Sequence, residues 1–158
     1  MKTLVLFESA YGNTERIARE IAQHLEKIGA VTLLHATEAS SAAIDEYDLL
    51  VIGSPTQYRK ASPTMSGWLE GLPYKGLSGY AIAVYDTRYR QPIWRSGSAG
   101  RRLGKQVRKS GGVVLLEPES YFVSSGAGEL LPGEIERVST WVENLYQAYQ
   151  NYIADTNQ

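Results

Sequence analysis

Leu4-Val5-Leu6-Phe7-Glu8-Ser9-Ala10-Tyr11-Gly12-Asn13-Thr14 is the stretch on which the reading of this chain turns. Its first four residues are uninterrupted apolar strand formers, as expected of a strand buried on both faces. Gly12 and Asn13 then punctuate a turn. Beyond it Ile17, Ala18, Ile21, Ala22, Leu25 and Ile28 recur at steps of three and four, the stripe of an amphipathic helix, with Gly29 where a C-terminal glycine cap belongs. A strand end feeding a helix start points unpaired amides and the positive end of the helix dipole into the turn, and such a place attracts an anion. Loop 9–14 adds the hydroxyls of Ser9, Tyr11 and Thr14 and the amide of Asn13. At Gly12 the backbone is free to curl. The loop holds no Lys or Arg, so a phosphate monoester gripped by amides and hydroxyls suits it better than a triphosphate with magnesium. An ordinary turn with Asn13 or Thr14 as N-cap would use the same residues, and the loop alone does not separate the two.

Outward from this stretch the pattern repeats. Segments 31–34, 48–53 and 80–85 read as strands, 63–72 and 98–109 as helices, and 134 to about 152 as a last helix with Ile135, Val138, Val142, Leu145 and Tyr149 on one stripe. Gly100 and Gly104 allow the 98–109 helix to approach a sheet closely, and Gly111-Gly112 ends it. A fifth strand at 113–116 is expected to break at Pro118, which has no amide to donate, and to continue beyond a bend at 121–123. Five strands alternating with helices imply one α/β domain over 1–158, a three-layer sandwich around a five-stranded parallel sheet. Ligands in such sheets sit beyond the carboxyl ends of the strands, which singles out loops 9–14, 54–62 and 86–97.

The composition narrows the functions. A chain of 158 residues, 43% hydrophobic, is long enough for one core, since a domain of roughly 150 residues buries about 68–70% of its extended surface. The net charge of −1 gives no global attraction for nucleic acid or an anionic membrane. With no cysteine there is no disulfide, thiolate nucleophile or cysteine-held metal cluster, and redox chemistry here requires a bound cofactor. Only four apolar residues precede Glu8, too short a run for a signal core or a membrane span, so a cytoplasmic address is expected. His24 and His35 stand without the companions a metal site needs. A phosphoacceptor receiver domain would carry acids after the first and third strands, where this chain has a lone Glu8 and Ser54. Hydrolase chemistry has no visible nucleophile–base pair.

Glu8 to Ala18 resembles the FMN-phosphate loop and first helix of flavodoxins and flavodoxin-domain proteins. Gly53-Ser54-Pro55-Thr56 is similar to their loop after the third strand, Tyr85-Asp86-Thr87-Arg88-Tyr89 to the loop after the fourth, and Pro132-Gly133-Glu134-Ile135-Glu136-Arg137 to the start of the last helix. The resemblance covers nearly the whole chain. It implies the flavodoxin-like strand order 2-1-3-4-5 with FMN at the switch point. It also implies a cofactor site made of Ser9, Ala10, Tyr11, Gly12, Asn13 and Thr14 for the phosphate. For the ring it implies Ser54, Pro55, Thr56, Gln57 and Tyr58 on one side, and Asp86, Thr87, Arg88 and Tyr89 on the other, with Tyr89 stacked on the flavin. The expected function is electron transfer to a redox partner protein, by a monomer or homodimer. An NAD(P)H-dependent quinone or flavin reductase, or a binding module that has lost FMN, are the alternatives.

Three departures from the family pattern matter. Many flavodoxins have a tryptophan where this chain has Gln57, which leaves Tyr58, or Trp94 folding over from the long loop, to close the second ring face. Flavodoxins commonly stabilise the one-electron-reduced flavin by flipping a peptide next to glycine, and Thr56-Gln57-Tyr58-Arg59-Lys60 contains none, which favours two-electron chemistry. Between Thr87 and Leu116 there are eight cations and no acid, whereas electron-carrier flavodoxins are typically strongly acidic. Such a run is either a solvated face or a set of charges that tunes the flavin or receives an acidic partner or a nucleotide phosphate.

Overall fold

The computed structural model describes residues 1–125 and 128–158. Strand β1 (Lys2–Phe7) leads into helix α1 (Asn13–Leu25), β2 (Ala30–His35), a 3-10 turn (Ser41–Glu46) and β3 (Leu49–Pro55). Then follow α2 (Pro63–Glu70), β4 (Ala81–Tyr89), a single turn α3 (Ile93–Ser96), α4 (Ala99–Lys109), β5 (Val113–Val114), β6 (Glu119–Val123) and α5 (Arg137–Thr156). The strands pair in parallel in the order β2-β1-β3-β4-β5, with β6 also on β4. This is the flavodoxin-like order that the resemblance implies.

The unbroken apolar runs are buried on both faces because alternate residues point opposite ways. Val5, Phe7, Val51, Ala83 and Tyr85 join Ile17, Ile21 and Leu25 of α1 and Trp141, Val142 and Leu145 of α5 in one core layer. Leu4, Leu6, Leu50, Ile52 and Val84 join Met65, Trp68 and Leu69 of α2 and Leu103 and Val107 of α4 in the other. The sheet is thus the middle of three layers.

The fifth position in the sheet is shared by two short strands. β5 pairs with Ala81 and Ile82, and β6 with Tyr85 through Tyr89. Pro118 falls between them, and the glycines of α4 make room for it: a Cβ at Gly104 would stand 3.1 Å from the Pro118 ring, and one at Gly100 3.2 Å. The break expected at Pro118 is therefore present, but the strand before it is Val113–Val114 only.

Several boundaries differ from the sequence reading, each for a local reason. Pairing with β6 carries β4 on to Tyr89, so residues 86–89 are strand rather than loop, and β3 likewise runs on to Pro55 opposite Thr87. α1 stops at Leu25, and Gly29 is not its left-handed cap. Gly29 is small because a Cβ there would lie 2.4 Å from the Met1 carbonyl oxygen. α5 begins at Arg137 rather than Glu134, because the buried Glu134 carboxylate turns back to accept the Phe122 amide at 2.8 Å. Arg137 then bridges Glu134 at 2.5 Å and Glu119 at 2.6 Å, tying β6 to the start of the helix.

No helix among the described residues is long and apolar enough to cross a membrane. Nor do the described residues group three or more His, Cys, Asp or Glu side chains as a metal centre would.

Candidate functional site

The carboxyl ends of β1, β3 and β4 open into a cleft of about 270 Å³, just below the roughly 300–1,000 Å³ range of ligand sites. One end of it is the start of α1. Gly12 occupies the N-cap position with φ 90°, a left-handed conformation that glycine adopts without strain, and no side chain caps the helix. Asn13 and Thr14 thus do not act as caps. The Asn13 amide nitrogen donates across to the Gly128 carbonyl at 2.6 Å, and the Thr14 hydroxyl pairs with that of Thr87 at 2.8 Å. Ser9 turns its hydroxyl inward to accept the Gly12 amide at 3.0 Å. With the side chains so engaged, the amides of the first helical turn face the cleft as anion-binding groups.

This helix start is supported from below by a tyrosine. Tyr85 is fully buried, its ring packs edge-on to Tyr121 and Trp141, and its hydroxyl donates to the Thr14 carbonyl at 3.0 Å. A Cβ at position 53 would sit 2.0 Å from the ring, so Gly53 is what lets the phenol through. Burial, and next the neighbouring Tyr121, push the Tyr85 pKa well above its ordinary value, which keeps the hydroxyl a donor.

The opposite wall is a tight turn. Gln57 and Lys60 exchange main-chain hydrogen bonds at 2.8 and 2.9 Å, and between them Tyr58 and Arg59 both hold positive φ, 47° and 69°. Such a turn is usually built from Asn and Gly, and a side chain in each position implies strain of order 1–3 kcal/mol per residue. Gly97, with φ 68°, packs its backbone against Arg59: a Cβ there would lie 2.5 Å from the Arg59 Cα. Strained backbone persists where its surroundings over-determine it, and it clusters at functional sites.

The third wall is the end of β4. Arg88 is held at several points: its guanidinium donates to the Ser120 and Ser96 hydroxyls at 2.9 and 3.0 Å and to the Gln91 carbonyl at 2.8 Å, over the Phe122 ring. Asp86, which the resemblance places beside the ring, turns its side chain away from the cleft. It is fully buried and accepts from the Ser98 hydroxyl at 2.6 Å and the Gly100 amide at 2.8 Å, an anion at the start of α4. Thr56 joins the two sites. Its hydroxyl accepts the Ala99 amide at 2.9 Å and donates to Asp86 at 3.3 Å.

Of the residues singled out in the sequence, Ala10, Tyr11, Asn13 and Thr14, then Pro55, Thr56, Gln57 and Tyr58, then Thr87, Arg88 and Tyr89 come together around the cleft. Ser54 and Asp86 are buried behind it, and Ser9 and Gly12 belong to the loop at its α1 end without lining it. Buried Ser54 donates to the Pro55 carbonyl and accepts the Ser62 amide, shaping the loop from inside. Trp94 does not fold over the cleft. It sits on the α3 turn, 72% exposed, and lines a neighbouring furrow. Sequence reasoning missed Arg59, Gln91, Arg95, Ser96, Val123 and Gly128, which also line the cleft. Val123 could have been found, because it ends a strand. Gly128 enters through Asn13, a contact across 115 positions with no local signal. Three guanidinium groups, those of Arg59, Arg88 and Arg95, border the cleft, and no carboxylate does among the described residues.

Comparison with known proteins finds relatives of the same fold. Residues 4–78 match the Flavodoxin domain family. A curated flavodoxin from Clostridium saccharobutylicum is 26% identical over 89 residues, 55% of this chain and 56% of that protein, so the match spans little more than half the relative's length. Among solved structures, a flavodoxin from the domain Archaea superposes with a TM-score of 0.78 at 17% identity, over 95% of this chain and 99% of that one. Oxidised Flavodoxin 1 from Bacillus cereus gives 0.77 at 18% identity, over 93% and 98%.

Proposed function

From a chain that is flavodoxin-like in fold and in its N-terminal sequence, we propose a function: it holds FMN non-covalently in this cleft and exchanges electrons with a protein partner. The observation that carries this reading is that uncapped helix amides and a slot lined by Thr56, Tyr58, Thr87 and Tyr89 open into one cleft. A phosphate dianion needs the first, and a planar ring with polar edges needs the second.

The donor set fits the group. The amides of Ala10, Tyr11, Asn13 and Thr14 and the helix dipole would hold the phosphate, with Gly12, whose own amide Ser9 accepts, supplying the required left-handed bend and Tyr85 fixing the height of the turn. Backbone groups at 56–58 and 87–89 would bind the ring edge, and Tyr89 would cover a face. When bound, FMN supplies a ring that takes up and releases one or two electrons with protons. The chain itself positions that ring, limits its contact with water and surrounds it with cations, and no side chain need act as acid or base.

Titration of the apoprotein with FMN, followed by flavin fluorescence, tests the proposal. FMN is expected to bind with quenching, and riboflavin, which lacks the phosphate, at least tenfold more weakly. Equal affinities would remove the phosphate assignment, and no quenching by FMN would remove the function. Gly12→Val, which cannot hold φ 90° without strain, is expected to weaken FMN more than riboflavin.

A further inference from the structure

Four cations of the 87–116 stretch that the cleft does not use, Arg101, Arg102, Lys105 and Lys109, gather beside it with Arg59 and Lys60. A furrow of about 360 Å³ runs between Trp94 and the α4 side chains Arg101, Arg102 and Lys105. A second, of about 400 Å³, runs from Lys60 to Lys105 and Lys109. Arg59 borders both the cleft and the first furrow, and Arg102 and Lys105 border both furrows, so the three depressions adjoin one another.

The six cations of this face, Arg59, Lys60, Arg101, Arg102, Lys105 and Lys109, are all exposed. The ion pairs among the described residues, made by Arg19, His24, Arg108 and Arg137, include none of them. Arg102 donates to the Arg59 main-chain carbonyl at 3.1 Å, which fixes its guanidinium on this face without neutralising it. In a chain of net charge −1 this is a strongly one-sided face. Two aromatic side chains project from its cleft end, Tyr58 at 98% exposure in the cleft and Trp94 at 72% in the furrow. Trp, Tyr and Arg are the residue types that anchor protein interfaces.

We infer that this face docks an acidic electron-transfer protein, whose carboxylates lie along Arg101, Arg102, Lys105 and Lys109 while Tyr58 and Trp94 seat its surface next to the cleft. That the partner is a redox protein rests on the function proposed above; that it is acidic rests on the charges alone. Complementary charge speeds the encounter and fixes the orientation. Nucleotide phosphates would also satisfy cations. However, these extend along α4 from Arg101 to Lys109, about 12 Å of helix, and continue through two open furrows, a dimension that suits a protein surface.

A plant-type [2Fe–2S] ferredoxin serves as the acidic probe, with cytochrome c as a basic counterpart and 2′,5′-ADP as a nucleotide. Each is titrated into the full chain, without flavin and with FMN added, by calorimetry and by amide and indole NMR shifts at 20 and 300 mM NaCl. The expected result is ferredoxin binding that perturbs the Trp94 indole and the 101–109 amides, weakens at least tenfold at the higher salt and is lost in Arg101→Glu/Lys105→Glu. Arg101→Gln/Lys105→Gln is expected to be intermediate, which guards against a folding artefact of the reversal. Absence of ferredoxin binding, ferredoxin shifts on another face, tight cytochrome c binding here, or 2′,5′-ADP binding in place of ferredoxin would each overturn the inference. Ferredoxin bound at this face without any FMN quenching would retain the docking surface and sink the redox reading. FMN quenching without ferredoxin binding would do the reverse.

Discussion

The hydroxyl of Tyr85, at the centre of the sheet, donates to the main-chain carbonyl of Thr14, in the first turn of the helix that begins at the cleft. The bond crosses from β4 past β3 to α1, through the gap that Gly53 leaves. It sets the position of the turn whose amides face the ligand.

Removing the hydroxyl alone tests that role. Tyr85→Phe keeps the ring packed and removes the second donor to a carbonyl that α1 also engages, at a cost of about 0.5–1.5 kcal/mol. Urea unfolding at pH 7 should show that loss, and FMN titration a weaker complex. Gly53→Ala forces a methyl into the ring and should destabilise by about 1–3 kcal/mol or more. If Tyr85→Phe matches the parent in both measurements, the hydroxyl does not support the turn.

The same phenol makes stability depend on alkaline pH. Burial raises the pKa of Tyr85, and of Tyr121 as well, above the value near 10 of the unfolded chain. Below that value both states keep the proton and the contribution is fully present. As pH rises through it the unfolded state ionises first, and stability falls toward the raised folded values. Urea midpoints should therefore be flat from pH 7 to 9 and decline from pH 10 upward, less steeply in Tyr85→Phe. An identical decline in both proteins would contradict the assignment.

Strain in the 57–60 turn depends on its neighbour. Gly97→Ala places a methyl against the Arg59 backbone at a left-handed φ and should lower the thermal midpoint by several degrees, as expected for a loss of about 1–3 kcal/mol. Arg59→Gly relaxes the turn itself and should be neutral or stabilising by up to about 1 kcal/mol. Unchanged stability in Gly97→Ala would mean that the two backbones are free to separate.

Cations at the cleft should tune a bound flavin. Arg88 and Arg95 border it without a carboxylate beside them, so they favour the more negative, reduced ring. Arg88→Gln with Arg95→Gln should lower the two-electron midpoint potential of the FMN-loaded protein by on the order of 30 mV, the equivalent of about 1.4 kcal/mol. Spectroelectrochemistry measures it, and an unmoved or higher potential would show that these charges are screened.

What the sequence disclosed was what local periodicity and backbone chemistry control. The apolar run 4–7, the stripe from Ile17 to Leu25, and Pro118 as a strand breaker each act within a few residues, and each is found in the fold. Gly12 was legible as the bend of the loop for the same reason. Contacts between distant segments were not legible. Asp86 sits in a stretch that resembles a ring-binding loop, yet the start of α4 takes its carboxylate, and only the fold brings Gly100 to it. Trp94 was one of two aromatics, with Tyr58, considered for the second ring face, but the α3 turn carries it to the next furrow. Thr14 was read as a ligand hydroxyl, and its pairing with Thr87 across 73 positions has no trace in the local pattern.

The division of the fifth strand at Pro118 reaches beyond the cleft. A sheet margin that exposes a long, regular row of amides and carbonyls invites another chain to add itself and so begin a fibril. On this margin β5 offers two residues, a proline follows, and the outer side of β6 is already covered by the returning segment through Val123 and Leu130 and the bond from the Leu131 amide to the Phe122 carbonyl. The interruption that lets α4 settle on the sheet thereby denies a second molecule a template along this border.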